Sequence, residues 1–173
     1  MPLPPPTGPL LWSPRMGVGN ARLDDDHKLL IELLNQLSQP IPEAEAPLLV
    51  QSILNALVDY ASFHFAREEA ALAAVDYPYL AAHKAAHRLV AEQAQAHLAT
   101  FQADPDSLSL DQLAAFVRGW LVEHIQGEDR AFSAYLSGHP EADAAIDAVP
   151  LLGGLGPEDD DPLDDPLEKV ASG

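Results

Sequence analysis

His64 and Glu68 stand four residues apart, little more than one helical turn, so on a helix both side chains leave the same face. That face is otherwise apolar: Val50, Ile53, Leu54, Leu57, Ala61 and Leu72 fall on it at three- and four-residue steps. An imidazole and a carboxylate aimed into such an interior cost several kcal/mol unless something pairs them. Either the two satisfy each other or they bind a metal. Any further partners have to come from other segments that reach the same interior, which makes this pair the strongest constraint on the fold.

The chain supplies such segments. Asp24-Asp25-Asp26 precedes a periodic run holding Leu29, Leu30, Leu33, Leu34 and Leu37. This predicts a helix near 24–38, with Asp24 as its N-cap and His27 in its first turn. The helix of His64 and Glu68 is expected from about 44 to 74, ending at the turn Asp76-Tyr77-Pro78. A third helix, roughly 78–102, places His83 and His87 on one face with Leu80, Val90 and Ala94. After Ala103-Asp104-Pro105-Asp106, a fourth from about 108 to 136 carries Leu110, Leu113, Phe116, Val117, Trp120, Leu121, His124 and Phe132 along its buried stripe. Gly127 weakens that helix, by roughly 1 kcal/mol against alanine in a helix interior. Each histidine alone reads as an ordinary helix-start, core or surface residue. Five of them and a carboxylate converging from four helices do not share that reading, because unpaired they would make a costly core.

Ala and Leu dominate while Val and Ile are sparse, which with the helical spacing indicates an all-α fold. Four helices with short connections form an up-down-up-down four-helix bundle, whose axis all four can reach. The 173 residues allow one such domain and two tails. We expect a proline-rich arm over 1–11, the bundle over 12–138, and an acidic, disordered tail over 139–173. A net charge of −18 argues against nucleic acid and against an anionic membrane surface. Cysteine is absent, which excludes thiolate metal sites, iron–sulfur clusters and disulfides. The N-terminus lacks the pattern of a secretory signal and no segment is apolar enough to span a bilayer, so a cytoplasmic location is expected. Neutral imidazoles with carboxylates suit first-row transition metals, iron in particular, and this many ligands suit two ions better than one.

Taken together, the motifs resemble the hemerythrins, the bacterial hemerythrins most of all. They are Asp24-x-x-His27-Lys28 with Asn35, Tyr60-x-x-x-His64-Phe65-x-x-Glu68-Glu69, Tyr77-Pro78-x4-His83-x-x-x-His87, and Trp120-x-x-x-His124-Ile125-x-x-x-Asp129. The likeness covers about Trp12 to Tyr135 and leaves out both tails. It implies one iron held by His83, His87 and His124, and a second held by His27 and His64. Glu68, Asp129 and a bridging oxide or hydroxide would join the two irons, leaving an open position where the family binds dioxygen. Leu121, one turn before His124, is the expected apolar residue of the oxygen pocket. The implied function is reversible dioxygen binding for storage, delivery or sensing, without catalysis, in a monomer or weak oligomer. The acidic tail is left as the place for an unidentified protein partner.

One ligand depends on the resemblance. Helical periodicity alone selects Glu128, four residues after His124, whereas the family pattern selects Asp129 and leaves Glu128 on the surface. Two positions depart from the pattern: Asp26 stands where Gln is usual, and Phe132 where Tyr is common. His97, about 15 Å along the axis from His87, reads as a core or groove histidine, and His139 as exposed. The rival is a ferritin-like di-iron oxidase or peroxidase, or an iron-handling protein. Those sites lean on four carboxylates with Glu-x-x-His pairs, and no suitable inward pair of that kind occurs in this chain.

Overall fold

Asn20 starts the first helix. In the computed structural model its side-chain oxygen accepts the amides of Arg22 and Leu23 at 3.0 and 3.2 Å, the bonding of an N-cap. Helix α1 (Ala21–Leu37) therefore begins three residues before the expected start. Asp24, expected as the cap, instead accepts the amide of Val18 at 2.8 Å and fixes the loop that leads in. Gly19 gives that loop its left-handed turn, at φ 83°. The structure describes residues 8–37, 39, 40, 42, 46–107 and 110–150, with residues 46 and 110 by backbone alone.

Helix α2 (Ala46–Ala74) ends where Tyr77 N–H bonds the Leu72 carbonyl and Asp76 N–H that of Ala73. Asp76 takes the left-handed conformation at φ 51°, a Schellman-type stop just before Pro78. Helix α3 (Leu80–Ala103) follows, then a 3-10 turn at Pro105–Ser107 and α4 (Leu110–Glu123). The backbone runs on without a break through a π-helical segment, His124–Asp129, into α5 (Arg130–Leu136). These last three pieces occupy the place of the expected fourth helix. Helix α2 packs against α1 and α3, and α1 against α4, as the up-down-up-down bundle requires. Among the described residues no helix is long and apolar enough to cross a membrane.

Buried side chains of α1 recur at Leu23, His27, Leu30, Ile31, Leu34 and Leu37, the stripe of a core-facing helix. The apolar interior falls into two clusters. The larger includes Leu30, Leu34, Leu54, Leu57, Phe65, Val117, Leu121 and Ile125. The smaller gathers Val18, Leu23, Ala71, Leu72, Tyr77, Phe132, Leu136, Ala142 and Ile146. Helices α1, α2, α3 and the π segment each change from one cluster to the other where a buried histidine or carboxylate stands, so these polar residues are sealed at both ends. Each fully buried leucine contributes about 1.5–3 kcal/mol, which lets the two clusters offset the desolvated polar cage between them.

Both expected tails begin inside the described structure. Leu10 and Asn35 exchange two hydrogen bonds of 2.8 and 2.9 Å, and Arg118 donates to the Gly8 carbonyl at 2.6 Å. Trp12 packs on the core edge, with its ring 6.2 Å from that of His27. At the other end, residues expected in the disordered tail form α6 (Pro140–Asp147), which lies against α2 with Ala142 and Ile146 buried. Asp143 accepts from Asn20 at 2.7 Å, and Arg22 pairs with Asp143 and Asp147 at 3.2 and 2.7 Å. Two apolar contacts and the neighbouring charges hold a helix whose composition looks like tail. The acidic segment after residue 150 lies outside the described residues.

Candidate metal centre

Seven side chains from α1, α2, α3 and the π segment meet in the gap between the two clusters: His27, His64, Glu68, His83, His87, His124 and Asp129. All seven are buried, and Glu68, His27, His64 and Asp129 have no exposed surface. Their ligand atoms form two sets that share Glu68. One holds His27, His64, Glu68, His124 and Asp129, and the other Glu68, His83 and His87, with the atoms of each within 4.8 Å of one another. His124 thus groups with His27 and His64, although the resemblance assigns it to His83 and His87. Its Nε2 stands between them, 3.6 Å from Glu68 Oε2, 3.3 Å from Asp129 Oδ2 and 3.4 Å from His64 Nε2.

The separations fit a metal better than hydrogen bonds. Glu68 Oε2 lies 3.1 Å from His83 Nε2 and 3.0 Å from His87 Nε2, and Asp129 Oδ2 lies 3.0 Å from His27 Nε2. His27 and His64 bring their Nε2 atoms within 3.1 Å of each other. Two ligands at right angles, each about 2.1 Å from a first-row ion, are about 3 Å apart. Yet Glu68 Oε1, His87 Nε2 and both Asp129 oxygens have no partner at hydrogen-bonding geometry. Buried polar atoms are rarely left so, and here they face one another across the cage. The donor set therefore fits transition-metal ions, with imidazole and carboxylate of the kind that iron accepts.

The electrostatics of the cage without metal are strained. Burial pushes His64 down to about 4, with the Glu68 charge opposing. Burial also acts downward on His124, but Asp129, Glu128 and Glu68 outweigh it and carry the ring up to about 9. Burial and then the Glu68 charge push Asp129 up. Burial would raise Glu68 as well, yet the His64 and His124 charges and the close His83 and His87 rings hold it well below the carboxylate range. A bound cation would favour charged carboxylates and neutral imidazoles together, which the cage alone does not.

The π segment decides between Glu128 and Asp129. Its backbone hydrogen bonds span five residues instead of four, so the side chain five after His124 comes back toward the same face. Asp129 is buried in the cage, and Glu128 turns outward, 42% exposed. Gly127, read from sequence as a weak point, sits inside this wider turn with open space where a Cβ would be. Glu128 is nonetheless more than a surface residue: its Oε2 lies 3.3 Å from His124 Nδ1. Sequence reasoning missed this contact, and it missed Glu69, whose Oε1 lies 3.0 Å from His87 Nδ1. Such carboxylates fix the ring and leave Nε2 free to bind inward. For His124 and Glu128 the four-residue spacing was a usable signal; for Glu69 and His87, on different helices, none existed. His97 packs tilted against Phe116 with ring centroids 4.5 Å apart and His139 is exposed beside Glu141, both away from the cage as expected.

Replacing each acid with alanine separates their roles. Asp129→Ala should lose the paired site, whereas Glu128→Ala should keep it and weaken metal affinity by about 10–100-fold. Metal content after competition with a chelator checks both, and the reverse order would show that α-helical phase was the better guide.

Known proteins with a similar sequence and fold fall in one family. Residues 18–136 match the family model of the hemerythrin HHE cation binding domain. The bacteriohemerythrin of Stenotrophomonas maltophilia is 32% identical over 132 residues, 75% of this chain and 83% of that protein. A hemerythrin-like protein of Naegleria gruberi is 30% identical over 132 residues, 74% of this chain and 94% of its own length. A crystal structure of wild-type hemerythrin superposes with a TM-score of 0.66 at 28% identity, covering 75% of this chain and 98% of that one.

Proposed function

This chain belongs to the hemerythrin family, and on that premise we propose that it binds dioxygen reversibly at a non-haem di-iron centre. The observation that carries the reading is the cage itself: five imidazoles and two carboxylates, all buried, facing one another with Glu68 and Asp129 oxygens unpartnered. In the assignment that follows the family, His83, His87 and His124 would hold one iron and His27 and His64 the other, with Glu68 and Asp129 as ligands available to both. Iron held there supplies the electrons and the open coordination position that dioxygen binding needs.

The chain's own residues keep the site dry and the ligands aimed. Glu128 orients His124 and Glu69 orients His87, each through its Nδ1. Phe65 stacks on the His87 ring at 4.0 Å, and Phe132 closes over His83 at 5.3 Å. Leu121, fully buried one turn before His124, is our choice for the apolar wall of the oxygen pocket. Excluding water there would keep protons and competing solvent away from the site. The reading is of a binding protein and not an enzyme, a cytoplasmic monomer or weak oligomer used in storage, delivery or sensing. The histidine-rich donor set argues against a ferritin-like oxidase, whose sites lean on carboxylates.

An optical spectrum of the reduced protein tests this. Air should produce a visible band, and argon should remove it over repeated cycles. A spectrum that stays flat in air, or changes once and never returns, would contradict reversible binding.

A further inference from the structure

Asp26 is buried beside the cage but is not one of the seven converging residues. Its Oδ1 accepts from Arg67 Nη1 at 2.6 Å and from the Tyr60 hydroxyl at 2.9 Å. Its Oδ2 faces His64 Nδ1 at 3.5 Å, the outer limit of a hydrogen bond. The other outer carboxylates stand closer to their rings, Glu69 at 3.0 Å from His87 and Glu128 at 3.3 Å from His124. They are also less neutralised. Lys84 reaches Glu69 only at 3.5 Å and is half-exposed, while the Arg67 guanidinium is 14% exposed and lies 5.0 Å over the Phe63 ring. The carboxylate nearest His64 is therefore the one whose charge is most fully taken up by another group.

We propose that Arg67, helped by Tyr60, is a positioning residue that draws Asp26 toward itself and withholds its charge from His64. The role rests on the di-iron reading of the cage. A carboxylate bonded firmly to Nδ1–H makes an imidazole a stronger donor to its metal, which favours the ferric state. Holding Asp26 back keeps His64 a weaker donor than His87 or His124 and favours the ferrous state, the one the proposed function starts from. The ion pair thus sets the redox balance of the site from outside it.

The test compares full-length, iron-loaded wild type with Arg67→Gln and Asp26→Asn. The readouts are iron content, reduction potential, and the paramagnetically shifted ring N–H proton resonance of His64. Both variants should hold two irons. Arg67→Gln frees the Asp26 charge, so the potential should fall and the His64 N–H resonance move downfield. Asp26→Asn should shift both in the opposite direction. Tyr60→Phe removes a single donor from Oδ1 and should follow Arg67→Gln by less, which serves if the arginine variant folds poorly. Arg67→Lys keeps the charge and should restore most of the wild-type potential. Shifts of the same sign in Arg67→Gln and Asp26→Asn, or an unmoved potential and resonance in Arg67→Gln at full iron content, would overturn the role of Arg67 alone. A wild-type chain that takes up no iron would overturn the di-iron reading and this role with it.

Discussion

Replacing His64 with alanine is expected to remove at least one iron per chain and to lower the melting temperature by roughly 10 °C. His64 stands at the middle of the cage: its Nε2 lies 3.1 Å from that of His27, 3.4 Å from that of His124 and 3.8 Å from Glu68 Oε1. A metal bound to the folded state and not to the unfolded chain stabilises by mass action, by about 3 kcal/mol at a hundredfold excess over Kd. For a chain of this size each kcal/mol moves the midpoint by about 2–4 °C. The comparison has to be made twice. In metal-free protein the same change should cost little, because an uncharged, fully buried ring with few good partners is itself a burden. Calorimetry on both forms separates the two effects. A variant that kept full iron content and the wild-type midpoint would show that His64 is not a ligand.

Helix α6 gives the second large effect. Ending the chain after Gly138 should destabilise the bundle by about 3 kcal/mol, since it removes a fully buried isoleucine and a buried alanine from the smaller cluster. The Arg22 pairs with Asp143 and Asp147 are half-exposed and add little, on the order of 0–1 kcal/mol each. Ending the chain after Pro150 should leave stability and metal content unchanged. Ile146→Ala in the full chain should reproduce most of the first effect, about 2–4 kcal/mol. Thermal melts of the three proteins decide it. A Gly138 truncation as stable as the full chain would restore the boundary expected from sequence.

That boundary shows where sequence reasoning stopped. Helices α1 to α4 were legible because each repeats its apolar positions over several turns, and the candidate ligands because polar residues on such a stripe stand out. Eight residues hold only two buried positions, Ala142 and Ile146, so α6 had too little periodicity to rise above its acidic surroundings. Asp129 was legible only through the family pattern, and helical phase missed it for the opposite reason. The period was read correctly for an α-helix, but the backbone widens to π at that point, and no side-chain pattern announces it apart from Gly127 inside the helix. The start of α1 moved to Asn20 because a nearby acidic run hid the better cap. Outer contacts such as Asp26 with Arg67 and Glu69 with His87 join different helices or widely spaced residues, and only the packed structure brings them together.

The central claim is reversible dioxygen binding at a two-iron site, and gas uptake on the reduced protein tests it most directly. Iron and chain concentrations are measured first; dioxygen is then measured as it is taken up and as it is released under argon. The expected result is two irons per chain, one dioxygen taken up per iron pair, and the same amount released. Dioxygen consumed without release, or uptake that does not scale with the iron pair, would contradict it.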